Sequence, residues 1–275
     1  MDKKVKKFCE NKIIICPYCS SILNLENRSL VCENKHCFDI AKQGYVNLLS
    51  NSKKYENYSK TNFENRHNVL ESGMYDNILD FIIEYIAKFP NSENILDVAC
   101  GEGYYSKKIS SEMNKNIYAF DISKESIIIA SKSDKLGLVK WFVSDLSNIS
   151  VKDLSFDFIL DIFSPANYEE FKRILKPDGY LIKVIPGKNH IIEIREKVKN
   201  KLKHSEYSNK AVIECFSESF QLLHKENISY KYKVTNTILN SLVNMTPLLF
   251  NIDKKSINWC DITEITIDAE ILIGK

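Results

Sequence analysis

Between residues 94 and 185, short apolar runs alternate with amphipathic stretches, and this alternation constrains the fold more than any other feature of the chain. Residues 94–98 read as a buried strand, followed by a glycine-containing turn and a helix over residues 104–113. Residues 116–121 form a second strand, and Ser123 is a good N-cap for the helix after it. Third and fourth strands fall at 139–143 and 156–163. A helix over 168–175 then leads through Lys176-Pro177-Asp178-Gly179 into a fifth strand at 180–185. Strands separated by helices imply right-handed crossovers and a parallel sheet. Residues 224–234 and 263–273 look like two further strands with a helix between them.

Upstream the pattern changes, and three zones emerge: 1–50, rich in cysteine; 51–90, a polar linker and helical segment; and 91–275, the alternating domain. Val69, Leu70, Ile78, Leu79, Ile82, Ile83 and Ile86 fall at helical spacing in the second zone. With 275 residues, 44% apolar and 27% charged, the chain has ordinary globular composition. A net charge of +2 excludes a polycationic coat, so any nucleic-acid contact must come from local basic patches. No apolar run approaches the roughly 20 residues of a membrane helix. The charged start, Met1 to Lys7, lacks the apolar stretch of an export signal, so a cytoplasmic location with no membrane partner is expected.

Cys9, Cys16, Cys19, Cys32 and Cys37 crowd into the first forty residues. Cys16-x2-Cys19-x12-Cys32-x3-His36 has the spacing of a four-ligand zinc site, because each short gap sets two ligands on one tight turn. Cys37 would also give acceptable spacing, and His36 is preferred. All four positions are filled by protein, so the expected Zn2+ is structural, holding a module too small to bury a sufficient core. Reduced, buried structural cysteines are the alternative.

Asp97-Val98-Ala99-Cys100-Gly101-Glu102-Gly103 sits where the first strand turns into the first helix, and Gly101 and Gly103 allow close approach of a ligand. Asp121 ends the second strand, placed to accept from both ribose hydroxyls of a nucleoside. The third glycine of the dinucleotide fingerprint is absent, with Ser106 in its place. Asp97 would repel a pyrophosphate but suits a cationic sulfonium ligand, and Asp145, after the third strand, could reach an adenine amino group. Together these residues resemble the class I methyltransferase pattern, whose cofactor is S-adenosyl-L-methionine. That implies a Rossmann-like α/β fold with a mostly parallel seven-stranded sheet beside the N-terminal zinc module.

The whole chain resembles one family, the bacterial large-subunit (23S) ribosomal RNA guanine-N1 methyltransferases. The most specific stretch runs from Cys32 through Phe38-Asp39-Ile40-Ala41-Lys42-Gln43-Gly44-Tyr45-Val46-Asn47-Leu48-Leu49. Further matches are Arg66 with Gly73-x-Tyr75, Phe120-Asp121-Ile122-Ser123-Lys124, Ile162-Phe163-Ser164-Pro165, Pro186-Gly187-x-x-His190 and Met245-Thr246-Pro247. The resemblance implies methyl transfer to N1 of a guanine in a 23S rRNA hairpin loop, a zinc module that helps recognise RNA, and a homodimer. It places Tyr75, Gly101, Glu102 and His190 around the methyl donor. Ala99 departs from the family by replacing an expected glycine.

Loss of the guanine N1 proton calls for an acceptor. Asp161, at the end of the fourth strand, is the candidate, with a buried structural acid as the alternative. Ser164-Pro165 is expected to shape the base pocket. For RNA contact, the candidates are Lys188, Arg195, Lys197, Lys199, Lys201 and Lys203, with Lys35, Lys42, Lys53 and Lys54 near the zinc module. Tyr18, Tyr45, Tyr55 and Tyr58 could stack on splayed bases. A small-molecule methyltransferase would instead work without RNA, and a non-catalytic RNA-binding protein would bind the donor without turnover.

Overall fold

A computed structural model describes residues 2–49, 60–201 and 208–275. Lys53, Lys54, Tyr55, Tyr58 and Lys203 lie outside the described residues. After a short helix α1 (Lys3–Lys6), strands β1 (Asn24–Glu26), β2 (Ser29–Val31) and β3 (Cys37–Asp39) make a small antiparallel sheet. Then come β4 (Tyr45–Asn47), α2 (Lys60–Glu71) and α3 (Asp76–Ala87). The alternating region follows: β5 (Asn94–Val98), α4 (Tyr104–Glu112), β6 (Asn116–Asp121), α5 (Lys124–Ser133), β7 (Val139–Val143), β8 (Phe156–Ile162), α6 (Tyr168–Ile174) and β9 (Leu175–Pro186). The chain closes with α7 (Ile192–Val198), α8 (Lys210–Ser219), β10 (Leu222–Lys233), α9 (Asn236–Met245) and β11 (Glu264–Gly274).

The large sheet runs β10-β11-β9-β8-β5-β6-β7-β4, with β9 to β4 parallel and β11 antiparallel to both β9 and β10 at the other end. It has eight strands rather than the expected seven. The extra one is β4, which pairs Tyr45 with Trp141 and Asn47 with Val143 along the edge of β7. Three residues are too few to show periodicity, and β4 is fixed by the open edge it covers.

Both faces of the sheet are buried, as parallel strands require. One face carries α3, α4, α5, α7 and α9 through residues such as Ile82, Ile109, Ile127, Ile194 and Leu242. The other carries α6, α8 and the N-terminal fifty residues, whose Phe8, Ile14, Leu23 and Leu30 share one apolar cluster with Leu96, Val98, Phe120 and Phe142. No helix connects β7 to β8. The loop between them pairs instead with the N-terminal segment: Ile15 N–H donates to the Ser150 carbonyl at 3.0 Å, and Lys152 N–H to the Ile13 carbonyl at 2.8 Å. The zinc-ligand segment thus occupies the place of a missing crossover helix. Among the described residues, no helix is long and apolar enough to cross a membrane.

Candidate active site and metal centre

Two tight turns converge on the metal centre. Ser20 and Lys35 adopt left-handed φ values of 58° and 63°, bending the chain back beyond each half of the ligand set. Cys16 Sγ and Cys32 Sγ each lie 3.4 Å from His36 Nδ1, and Cys19 Sγ lies 3.6 Å from Cys32 Sγ. Tetrahedral zinc, with bonds of about 2.3 Å to sulfur and about 2.0 Å to nitrogen, sets these edges at roughly 3.8 and 3.5 Å. All four ligand atoms fall within 4.8 Å of one another, so the residues fit a closed, structural zinc. Backbone N–H groups of Tyr18 and His36 point at the Cys16 and Cys32 sulfurs. Cys37 is exposed on β3 and stands outside this group.

The turn from β5 into α4 holds Ala99, Gly101 and Gly103, all at positive φ (49°, 59° and 77°). A side chain at Gly103 would run into the ring of Trp141, which accounts for glycine there. Ala99 accepts the left-handed geometry that the family's glycine would adopt without strain. Asp121 ties the loop down: its carboxylate accepts from Gly101 N–H at 2.9 Å and from Ser123 N–H at 2.8 Å. Burial raises its pKa above the usual carboxylate value. Asp97, buried at the end of β5, accepts a hydrogen bond from the Ser106 hydroxyl, and burial lifts its pKa to about 7. Ser106, noted in the sequence only for the glycine it replaces, is therefore the partner of Asp97. Asp145 is half-buried after β7, where it accepts from Ser147 N–H at 2.8 Å.

Beside the loop lies a cavity of about 320 Å³, walled by Phe63, Tyr75, Phe163, His190 and Met245. Tyr75 Oη and His190 Nε2 are 3.3 Å apart. The Asp268 backbone N–H donates to His190 Nδ1 at 3.3 Å, so the ring proton of the neutral form sits on Nε2 and faces Tyr75. Burial lowers the His190 pKa to about 4, keeping the ring neutral at physiological pH. Asp268 also accepts from Asn189 N–H at 2.7 Å, bracing the turn that presents His190. The sequence carried no signal for this residue, since it lies 78 positions away.

Asp161 is fully buried and is not among the residues that wall the cavity. Lys183 Nζ donates to one of its oxygens at 2.6 Å and Ser164 Oγ to the other at 2.5 Å. Lys183 also reaches the Ser164 carbonyl at 3.2 Å, so the pair clamps the end of β8.

The basic segment around α7 is partly neutralised, with Lys197 paired to Asp261 and Lys199 to Glu196, while Lys201 donates to Ser256 Oγ. Lys35, Lys42 and Lys188 are exposed, and Arg195 lines the cavity. Tyr18 is 58% exposed and near His36 and Phe38. Tyr45 is a correction to the stacking set: its position on β4 buries it in the core, where no base can reach it.

Two family profiles match the chain: one described as "RlmA, N-terminal" over residues 14–56, the other as "Methyltransferase domain" over residues 95–179. YxjB of Bacillus subtilis (strain 168), provisionally named a 23S rRNA (guanine-N(1)-)-methyltransferase, is 34% identical over 98% of this chain and 99% of its own length. The 23S rRNA (guanine(748)-N(1))-methyltransferase of Streptomyces fradiae is 25% identical, over 84% of each chain. Among solved structures, a chain of the complex between the Haloferax volcanii Trm112 methyltransferase activator and a methyltransferase aligns with a TM-score of 0.50. That alignment covers 78% of this chain and 96% of that one at 14% identity, a likeness of fold alone.

Proposed function

The chain belongs to the family of 23S rRNA (guanine-N1)-methyltransferases, and from that membership we propose that it methylates N1 of a guanine in an exposed hairpin loop of 23S rRNA, using S-adenosylmethionine. The near-full-length match to YxjB carries this reading, because it spans the zinc module and the methyltransferase fold together.

The donor's sulfonium supplies an already activated methyl group. The protein contributes proximity and orientation, worth about 7–11 kcal/mol when the geometry is near-attack. In this reading Gly101 and Gly103 bring the backbone close to the donor, Asp121 accepts from its ribose hydroxyls, and Asp145 takes the adenine amino group. Asp97 adds negative charge near the sulfonium, and Tyr75, Glu102 and His190 surround the donor. N1 lies on the Watson–Crick edge, so the base must be unpaired or flipped out, which costs less in a loop than in a duplex. The apolar cavity between Phe163 and Met245 suits a flat base. Asp161, paired on both oxygens, acts here as a positioning residue that fixes Ser164 rather than as the N1 proton acceptor. Lys35, Lys42, Lys188 and Tyr18 are the surface groups offered to RNA. A cytoplasmic homodimer, the form the family resemblance implies, completes the reading, and light scattering of the purified protein tests the dimer.

Incubation with unmodified 23S rRNA and labelled donor, then nucleoside mass spectrometry, should yield labelled 1-methylguanosine that disappears when Gly101 and Gly103 are replaced together. A different methylated nucleoside would overturn the target atom. Donor binding with no labelled nucleoside would overturn the reaction.

A further inference from the structure

The parallel sheet has a second opening, at the end opposite the glycine loop. A groove of about 1080 Å³ runs along the amino ends of β5, β6 and β7, past Asn94, Asn116 and Lys140, with α1 and the segment after it forming one wall. Six lysines line the groove against three glutamates, Glu10, Glu93 and Glu112, whereas the whole chain carries 38 basic and 36 acidic side chains. The positive excess is therefore local, and a recess with charge of one sign concentrates partners of the other.

The six lysines are not equivalent. Lys115 donates to the Phe89, Pro90 and Ser92 carbonyls and so ties down the chain after α3. Lys7 and Lys140 form the floor, with 6% of the Lys7 side chain and 8% of Lys140 exposed. Their hydrogen-bond acceptors are neutral: the Val139 carbonyl at 2.5 Å for Lys7, and Asn116 Oδ1 at 3.2 Å for Lys140. Asp134 stands 3.9 Å from Lys7, but its carboxylate already accepts from the Gly137, Leu138 and Val139 N–H groups and from Trp141 Nε1. Burial lowers the Lys7 pKa to about 7 and the Lys140 pKa to about 8, and Asp134 and Glu10 oppose this only in part. The floor is thus short of negative charge. At the rim Lys3, Lys6 and Lys12 are exposed and enter no ion pair among the described residues.

Dispersed lysines act as point charges on flexible stems, which suits a polyanion with repeated charges rather than a single planar anion. We infer that this groove binds the phosphodiester backbone of a second RNA segment, apart from the hairpin loop whose guanine enters the cavity. The sheet sets that separation. The cavity opens where β8 and β9 end, at Phe163, Pro186 and Gly187, and a five-residue strand such as β5 spans about 16 Å. A loop seated in the cavity lies across the sheet from the groove, so the groove contact falls to a flanking part of the same rRNA. The inference rests on the rRNA reading above and adds to it a contact that carries affinity and placement without base choice. It also gives the lysine-rich start of the chain a role.

Binding of an unmodified 23S rRNA transcript to the full chain, measured across a salt series, tests the inference. The triple variant Lys3→Glu/Lys6→Glu/Lys12→Glu changes only exposed rim side chains. It should weaken rRNA binding about 10- to 100-fold near 100 mM salt and reduce the slope of log Kd against log salt by about two to three. In methyl transfer, KM for the transcript should rise while kcat holds, and S-adenosylhomocysteine should bind as it does to the parent, which reports an intact fold. Lys210→Glu/Lys231→Glu/Lys233→Glu makes the same charge change on α8 and β10 and should cost less than about threefold, because the charges it alters are screened from the groove. If the first triple melts early, Lys6→Gln/Lys12→Gln should still reduce the slope by about one to two. Equal losses in the two triples, or an unchanged slope in the groove variants, would overturn the assignment. A parental chain that neither binds nor methylates the transcript would overturn the rRNA reading itself, and the groove contact with it.

Discussion

Replacing Asp161 with Asn removes one charge from a pair that is almost wholly out of water, with side-chain exposures of 4% for Lys183 and 0% for Asp161. The two attract at 2.6 Å, and after the change the ammonium keeps only neutral acceptors, an amide oxygen and the Ser164 carbonyl at 3.2 Å, with no opposite charge beside it. Removing one partner of a buried pair costs about 3–5 kcal/mol, most of it the penalty of the charge left behind. For a chain of this size that is a fall in Tm of roughly 6–20 °C. Lys183→Met should cost a similar amount, because it strands the carboxylate. The double variant Asp161→Leu/Lys183→Met removes both charges and should recover most of the loss, since apolar groups of similar volume replace buried pairs at little cost. Thermal unfolding of the four proteins measures the cycle, and methyl transfer on the same samples separates structure from chemistry. A positioning role predicts that the double variant regains stability together with a substantial part of its activity. A stable but inactive double variant would return Asp161 to the chemistry. A single variant that melts within a degree or two of the parent would refute the energetic argument.

Four further outcomes are expected. His36→Ala should lose bound zinc, whereas Cys37→Ser should keep about one equivalent by metal analysis; zinc retained in His36→Ala would reject the ligand set. Ala99→Gly should gain about 0.5–1 kcal/mol in chemical denaturation, because it releases the left-handed strain at φ 49°. His190 titrates near 4 when folded against about 6.5 when unfolded, so the unfolded chain binds the extra proton between those values. The parent should therefore lose up to about 3 kcal/mol as pH falls from 6.5 to 4, a loss that His190→Gln should lack; parallel pH curves would refute it. Asp97, raised to about 7, should act with the opposite sign. The folded state holds the extra proton from about pH 4 to 7, so stability is lost as pH rises through that window and Asp97→Asn should flatten the slope.

The central strands were readable because parallel strands buried on both faces appear as apolar runs bounded by turn residues. Residues 116–121 and 139–143 appear as strands with those same bounds. The zinc ligands were readable because their chemistry depends on local spacing, and the left-handed turns at Ser20 and Lys35 account for that spacing. Arg66 stood in the sequence only as part of a motif, and its position over Gly101 is set by the packing of α2. Asp161 could be placed at a strand end, but the period-two pattern does not show that Lys183 on the neighbouring strand faces it. Tyr45 looked like a surface aromatic because nothing local announces a three-residue edge strand. In each case the missing information was a contact between distant segments.

The docking of the first fifty residues in place of a crossover helix bears on how this protein can be cut and inherited. A fragment beginning at α2 would keep the glycine loop yet leave Leu96, Val98, Phe120 and Phe142 without their cover and the β7 edge bare. An uncovered apolar sheet face next to an unpaired strand is a template for aggregation. The two parts make one heritable unit, and chimaeras between relatives should exchange them together.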